Sequence, residues 1–271
     1  MANHGTQHIP FMKMHGLGND FVVIDQRRVP VDLSPQTVAA MADRHRGVGF
    51  DQLALIFPGT NTDFNLTFLN SDGSESAACG NATRCIARHV MTETGQTALI
   101  IGTGRGTLVA RDVGDGLTSV NMGMPQLAWH EIPLAEEIDT LALPIAGAPT
   151  ATGMGNPHCT FFVDDLSRVD LAARGAEMEH HPLFPQRTNV QFVQVMARDH
   201  LRMRVWERGV GVTLASGSSS CAVAVAAARR GLAERSVRIE LDGGTLSVDW
   251  ADDGVWMTGP TAHVFDGQWR L

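Results

Sequence analysis

Cys79 stands where a cysteine can do chemistry. It follows the turn-rich segment Asn70-Ser71-Asp72-Gly73-Ser74-Glu75 and lies in Ala78-Cys79-Gly80-Asn81, where a helix is expected to begin. The unpaired N–H groups and dipole of a helix N-terminus draw a thiol pKa down from about 8.5 towards the 3.5–7.5 range, which makes a usable base or nucleophile. The same N–H groups suit a carboxylate.

The surroundings of this cysteine recur. Gly16-Leu17-Gly18-Asn19-Asp20-Phe21 returns as Gly153-Met154-Gly155-Asn156-Pro157-His158, a shift of 137 residues (156 − 19). The same shift sets Gln52 against Asn189, Asn70 against Glu207, Cys79 against Ser216 and Gly80 against Gly217. A helical stretch over 81–94 stops at Gly95, and another over 219–230 stops at Gly231, glycine being the expected helix terminator. Two helix starts related by duplication would face each other across a cleft and present side chains 79 and 216 to opposite faces of one bound molecule. Inverting an amino-acid α-carbon asks for that arrangement, because the proton leaves one face and another arrives on the opposite one.

The elements that position these residues follow from pattern. After each helix come short alternating or apolar runs punctuated by glycine, Gly106-Thr107-Leu108 in one half and Gly244-Thr245-Leu246 in the other, which read as strands and turns. The segment 221–228 is nearly all Ala, Val and Cys, and a helix apolar all round must be surrounded on every side. The expected fold is α+β: two pseudo-symmetric lobes, each a mixed, largely antiparallel sheet wrapped around a central apolar helix, with the site in the cleft between them. The expected division is 1–119 plus 263–271, carrying Cys79, and 120–262, carrying Ser216.

Bulk properties narrow the function. A length of 271 residues gives a soft prior of about two domains. With 44% hydrophobic residues the composition is globular, and no apolar run approaches the roughly 18 residues of a membrane span. A net charge of -8 without a basic block argues against nucleic acid, so a small-molecule partner is expected. Residues 1–10 lack the pattern of a secretory signal, and the expected location is the cytoplasm. Cys79, Cys85, Cys159 and Cys221 form no CxxC pair, which speaks against a metal site; in a reducing compartment each defaults to a small buried hydrophobe.

Pyridoxal phosphate needs a Schiff-base lysine. The chain has one lysine, Lys13, placed before a Gly-Asn turn and read as a surface or packing residue, so no cofactor is expected. The glycine cluster over 102–106 lacks a Walker lysine and a following helix, and reads as a turn. Two other classes stay open: a thiol hydrolase or transferase using Cys79 with His158, and a non-catalytic amino-acid binding protein.

Along nearly its whole length the sequence resembles the diaminopimelate epimerase family. The resemblance rests on Lys13-Met14-His15-Gly16-Leu17-Gly18-Asn19-Asp20-Phe21, Gly49-Phe50-Asp51-Gln52, the Asn70 segment, Cys79-Gly80-Asn81, Gly155-Asn156-Pro157-His158, Thr188-Asn189-Val190 and Glu207-Arg208-Gly209. It implies interconversion of the LL and meso forms of 2,6-diaminopimelate in the lysine and cell-wall pathway, by a homodimer that needs neither metal nor pyridoxal phosphate. It further implies that Cys79 is one acid/base group and that position 216 carries the other. Asn19, Gln52, Asn70, Asn156, Asn189, Glu207 and Arg208 would bind the substrate's polar ends, and Gly80, Asn81, Gly217 and Ser218 would offer backbone N–H groups to its α-carboxylate. His158 and Glu207 would tune the two bases. Taken one at a time, an asparagine after glycine is usually a turn residue, His158 a core histidine and Glu207-Arg208 a surface pair. Four polar positions in register across the repeat favour the functional reading.

One departure stands out. Where the family has Ala-Cys-Gly-Thr-Gly-Ala-Cys, this chain reads Ala215-Ser216-Gly217-Ser218-Ser219-Ser220-Cys221. A hydroxyl gives up its proton far less readily than a thiol, so Ser216 needs a neighbouring base and inversion should be impaired. Two explanations are open: an engineered, near-isosteric change, or divergence towards dehydration or the epimerisation of another amino acid, since cysteine/serine pairs in the wider superfamily accompany dehydration. Ser219 and Ser220 are also off the pattern.

Overall fold

The computed structural model describes residues 8–76 and 79–270. It divides into two compact units, 1–118 with 260–271 and 119–259.

The first unit contains β1 (His8–Gly16), β2 (Asn19–Asp25), α1 (Pro35–Ala42), β3 (Gln52–Pro58), β4 (Phe64–Asn70), β5 (Glu75–Ser76), α2 (Gly80–Thr94), β6 (Ala98–Thr103) and β7 (Gly106–Asp112). After β8 (Leu117–Asn121) at the crossover, the second unit runs through β9 (Thr150–Gly153), β10 (Pro157–Phe162), α3 (Leu171–Glu179), β11 (Asn189–Ala197), β12 (His200–Glu207) and β13 (Gly211–Thr213). It ends with α4 (Gly217–Arg229), β14 (Ser236–Leu241), β15 (Gly244–Ala251) and β16 (Gly254–Pro260); β17 (Ala262–Arg270) then belongs to the first unit and pairs antiparallel with β1.

Each unit repeats one topology. In the first, β1 and β2 are antiparallel, β2 and β3 parallel, β3 and β4 antiparallel, β4 and β6 parallel, and β6 and β7 antiparallel. The second matches it strand for strand through β9, β10, β11, β12, β14 and β15. The repeat extends to register: Phe21 lies opposite Gln52 as His158 lies opposite Asn189, and Leu53 opposite Leu69 as Val190 opposite Trp206, every residue displaced by 137.

Burial explains why these segments are strands. On β14, Val237, Ile239 and Leu241 are buried while Ser236, Arg238 and Glu240 are exposed, the period of two of a half-buried strand. In contrast, Phe21–Ile24 of β2 and Leu53–Ile56 of β3 are buried without alternation, as suits a parallel pair covered on both faces. Helix α4 is buried continuously over 219–227 and packs on β9, β10, β11, β14 and β15, which accounts for its all-round Ala/Val composition. Separate cores form around Val22, Met41 and Leu53 in the first unit and around Phe161, Phe192 and Phe184 in the second, where Phe161 and Phe192 stack with centroids 5.0 Å apart.

Candidate active site

Cys79 is the N-cap of α2, with extended backbone angles (φ -142°, ψ 98°), and its sulfur accepts the N–H of Ala82 at 3.5 Å. The helix starts at Gly80 and stops at Gly95, whose φ of 75° is the left-handed conformation that glycine adopts without strain. Asn19 and Asn81 converge on the thiol: Sγ donates to Asn19 Oδ1 at 3.7 Å, and Asn81 Nδ2 donates to the same oxygen at 3.2 Å. The turn that delivers Asn19 reverses through Leu17 and Gly18, with φ of 56° and 85°. The helix terminus therefore acts on Cys79 together with a second influence that the sequence reading did not include, an amide oxygen that favours the protonated thiol.

Gln52 and Asn70 lie opposite each other on neighbouring strands. The Gln52 amide donates to Ser76 Oγ at 2.9 Å and that of Asn70 to Ser74 Oγ at 3.0 Å. They thus form a cross-strand polar pair.

Ser216 is the N-cap of α4 with nearly the same backbone as Cys79 (φ -139°, ψ 120°), but its hydroxyl makes no cap bond to the helix. Instead Oγ donates to Glu207 Oε2 at 2.8 Å, while Thr213 Oγ1 holds the other carboxylate oxygen at 2.6 Å. The side chain is buried, at 3% exposure. The base that a serine would need is in contact with it. Gly217 and Ser218 form the first turn of α4. Ser219 and Ser220 are fully buried: Ser219 Oγ accepts from Gln191, and Ser220 Oγ donates back to the Ser216 carbonyl at 2.8 Å.

His158 is fully buried on β10. Gln191 Nε2 lies 3.1 Å from its Nδ1, and its Nε2 lies 2.9 Å from Asn156 Oδ1. With the Gln191 amide donating, Nδ1 accepts and the ring proton resides on Nε2, which donates to Asn156. Asn189 is committed on both sides, its oxygen accepting the Arg208 N–H at 3.0 Å and its NH₂ donating to the Pro157 carbonyl at 3.0 Å. The Arg208 guanidinium is exposed and donates to the Gln186 carbonyl, while the neighbouring Glu207 carboxylate is turned to Thr213 and Ser216. A further carboxylate, buried Glu179, accepts from Trp206 Nε1 at 2.7 Å and from Gly209 N at 2.9 Å, and so fixes the turn that carries Arg208. Burial pushes the Glu179 carboxyl up, but these bonds and that from Arg187 outweigh it and hold it below the usual range.

Four residues that contact these side chains or the Arg208 turn, each within its own unit, were not singled out by sequence reasoning. Asp51 accepts from Asn19 Nδ2 at 2.9 Å, and the signal was its place directly before Gln52 in Gly49-Phe50-Asp51-Gln52. Gln191 also left a signal, as a polar residue two positions beyond Asn189 on a buried strand. Thr213 and Glu179 left none. Of the two roles open to Lys13 it has the packing one: it is buried and pairs with Asp20 at 2.5 Å. Of the other cysteines, burial pushes the Cys85 thiol up to about 11 and raises that of Cys159 as well, so neither offers a thiolate near neutral pH.

Comparison with known proteins adds a family. The sequence model of the diaminopimelate epimerase family matches residues 11–128 and 150–264. A diaminopimelate epimerase of Acidiphilium cryptum is 53% identical over 264 residues, covering 96% of this chain and 95% of its own, and one of Nostoc punctiforme is 43% identical over 277 residues, covering 96% and 99%. Among solved structures, a hydroxyproline epimerase from Agrobacterium vitis superposes with a TM-score of 0.68 at 16% identity, covering 97% of this chain and 93% of its own. A PhzF-family phenazine biosynthesis protein of Bacillus anthracis gives 0.68 at 14% identity, covering 98% and 100%. These two likenesses concern the fold alone.

Proposed function

The chain belongs to the diaminopimelate epimerase family, and we propose that it is an isomerase that interconverts LL- and meso-2,6-diaminopimelate by proton transfer at the α-carbon, with Cys79 and Ser216 as the two proton-transfer positions. The observation that carries the assignment at position 216 is the hydrogen bond from Ser216 Oγ to Glu207 Oε2 at 2.8 Å. Ser216 acts there as a relay. As Oγ takes the α-proton, its own proton passes to Glu207, and the electron pair left on carbon delocalises into the substrate α-carboxylate. The Cys79 thiol delivers a proton to the other face and becomes a thiolate. Glu207 returns its proton to solvent and Cys79 takes one up, which restores the starting state. In the reverse direction Cys79 is the base and protonated Glu207 the donor through Ser216.

The N–H groups at Gly80, Asn81, Gly217 and Ser218 suit the α-carboxylate, because each belongs to the open first turn of a helix. We assign the substrate's polar ends to Asn19, Gln52, Asn70, Asn156, Asn189 and Arg208, with His158 held in one tautomer to orient Asn156. Among the described residues no helix is long and apolar enough to cross a membrane. A cytoplasmic homodimer acting without a cofactor is the form that the family resemblance supports.

The test is incubation of meso- and LL-diaminopimelate with the protein in D₂O, followed by chiral separation and mass spectrometry. The expected result is slow epimerisation in which the newly formed isomer carries α-deuterium, abolished by Cys79→Ala. Binding without exchange would identify an amino-acid binding protein. With a β-hydroxy amino acid offered in its place, loss of water would identify a dehydratase, and with an amino-acid ester a trapped acyl-thioester would identify a thiol hydrolase.

A further inference from the structure

Beside Cys79, two amides link a buried cation to a carboxylate. Arg84 Nη1 donates to Asn81 Oδ1 at 3.0 Å, Asn81 Nδ2 donates to Asn19 Oδ1 at 3.2 Å, and Asn19 Nδ2 donates to Asp51 Oδ2 at 2.9 Å. A guanidinium only donates and an ionised carboxylate only accepts. The two ends therefore dictate how both amides lie. Asn81 turns its oxygen to Arg84 and its NH₂ to Asn19; Asn19 turns its NH₂ to Asp51 and its oxygen back, where it meets the Cys79 thiol at 3.7 Å.

Each end is anchored in turn. Arg84 is fully buried, and its Nε donates to the Pro260 carbonyl at 3.1 Å. The chain passes so close that a Cβ on Gly16 would lie 2.8 Å from Arg84 Nη2 and 2.9 Å from Asn81 Cβ, which requires glycine there. At the other end, Arg44 Nη2 donates to Asp51 Oδ1 at 2.6 Å and to Asp20 Oδ1 at 2.7 Å, and Lys13 closes the cluster through Asp20 and the Gly49 carbonyl. Asp20 and Asp51 also accept each other's backbone N–H, both at 3.2 Å.

We propose that Asp51 and Arg84 are positioning residues that act through Asn19 and Asn81 to hold an acceptor oxygen, and not an amide donor, against the Cys79 sulfur, so that the resting thiol keeps its proton. This rests on Cys79 being a proton-transfer group, and gives that group its starting state as the donor. Reversed amides would point N–H at sulfur and favour the thiolate. Exchanging one hydrogen bond to the neutral form for one to the charged form moves a thiol midpoint by about one pH unit.

The experiment reads the pH midpoint of Cys79 alkylation by iodoacetamide in the full chain, located by peptide mass spectrometry, with Cys79→Ala as the blank. Asp51→Asn keeps the shape of the side chain. Its new oxygen is drawn to the Arg44 guanidinium rather than to the Asp20 N–H, so its NH₂ faces Asn19, which then has donors on both sides and loses its fixed orientation; its N–H can reach the sulfur and the midpoint falls, by up to about one unit. Adding Arg44→Met frees the new amide to turn its oxygen back to Asn19, and the midpoint recovers towards wild type. Rescue of one lesion by a second deletion is not expected of a merely structural role. Asp51→Ala removes the acceptor without supplying a donor, moves the midpoint less but in the same direction, and serves if Asp51→Asn does not fold. An unmoved midpoint in a folded Asp51 variant, or a double variant displaced further than the single one, overturns the proposal. Failure of the catalytic reading shows separately, as epimerisation that is absent from the wild-type chain or persists in Cys79→Ala.

Discussion

Replacing Ser216 by cysteine changes one atom in a side chain whose carboxylate partner is already in place. A positioned acid/base group contributes about 10²–10⁴ in rate, and the structure selects the lower end of that range. Ser216 Oγ already has an acceptor at 2.8 Å, and Thr213 holds that carboxylate in place, so the starting protein has a relay rather than an isolated alcohol. Ser216→Cys is therefore expected to raise kcat for diaminopimelate epimerisation about 10²-fold, equivalent to roughly 2.7 kcal/mol of barrier. Glu207→Gln in the serine protein removes the final proton acceptor and should cost about another 10². In the Ser216→Cys background the thiol ionises on its own, and the same Glu207→Gln change should cost within about tenfold. The four proteins form a double-mutant cycle with strong non-additivity. Rates come from chiral separation of the two isomers with time, and α-deuterium uptake in D₂O reports proton removal independently of inversion. Equal losses from Glu207→Gln in both backgrounds would refute the relay, since the carboxylate would then serve the fold or the substrate rather than Ser216. No gain from Ser216→Cys, with Cys79-dependent exchange intact, would point to a different substrate.

Further outcomes concern the scaffold. Burial pushes the Asp20 carboxyl up, but hydrogen bonds from Arg44 and Lys13 outweigh it and hold it below the usual carboxylate range. Its folded-state pKa lies under its unfolded value of about 3.9, so its stabilising contribution is present above pH about 4 and is lost as pH falls through the folded value. Asp20→Asn should be less stable than wild type at neutral pH and show a shallower acid limb in urea titrations; parallel limbs would contradict this. Phe192, fully buried, stacked on Phe161 and covered by Arg174 at 4.7 Å, should cost about 3–5 kcal/mol as Phe192→Ala, read as a lower urea midpoint. Glu179→Gln should loosen the turn at Gly209 and raise KM more than it lowers kcat, because its carboxylate contacts Trp206, Gly209 and Arg187 and so acts on the Arg208 segment.

Much of this arrangement was legible in the sequence, for a specific reason. Duplication writes the same polar residues twice at one spacing, and a spacing kept through strands and helix starts alike survives as matched register, Phe21 with Gln52 and His158 with Asn189. Helix N-termini also announce themselves, since Cys79 and Ser216 each precede a glycine and a run of good helix formers. Start and stop were placed to within two residues, the uncertainty expected of fraying ends. Polarity was not legible. Whether Ser216 caps its helix or gives its proton to Glu207 depends on where a carboxylate nine positions earlier arrives after a strand reversal, and that is set by β12 and β13 pairing rather than by any local pattern. For Lys13 the sequence left surface and packing roles open for a similar reason, since the choice is made by Asp20 and the Gly49 carbonyl, which enclose it.

The pairing of β17 with β1 has a consequence for how the protein is made. Residues 119–259 are contiguous, and their unit can close as soon as that stretch has emerged during synthesis. The other unit cannot: its partner strand over residues 262–270 starts 246 residues (262 − 16) after the end of β1. At about 5–20 residues per second, the β1 edge waits on the order of ten seconds or more with its backbone unpaired on that side. The strand is suited to such a wait by Pro10, which has no N–H to offer a foreign strand at an open edge. The unit that carries Cys79 is thus the later of the two to be completed on the ribosome, and newly made chains should acquire iodoacetamide-protected Cys85 only after the final strand has docked.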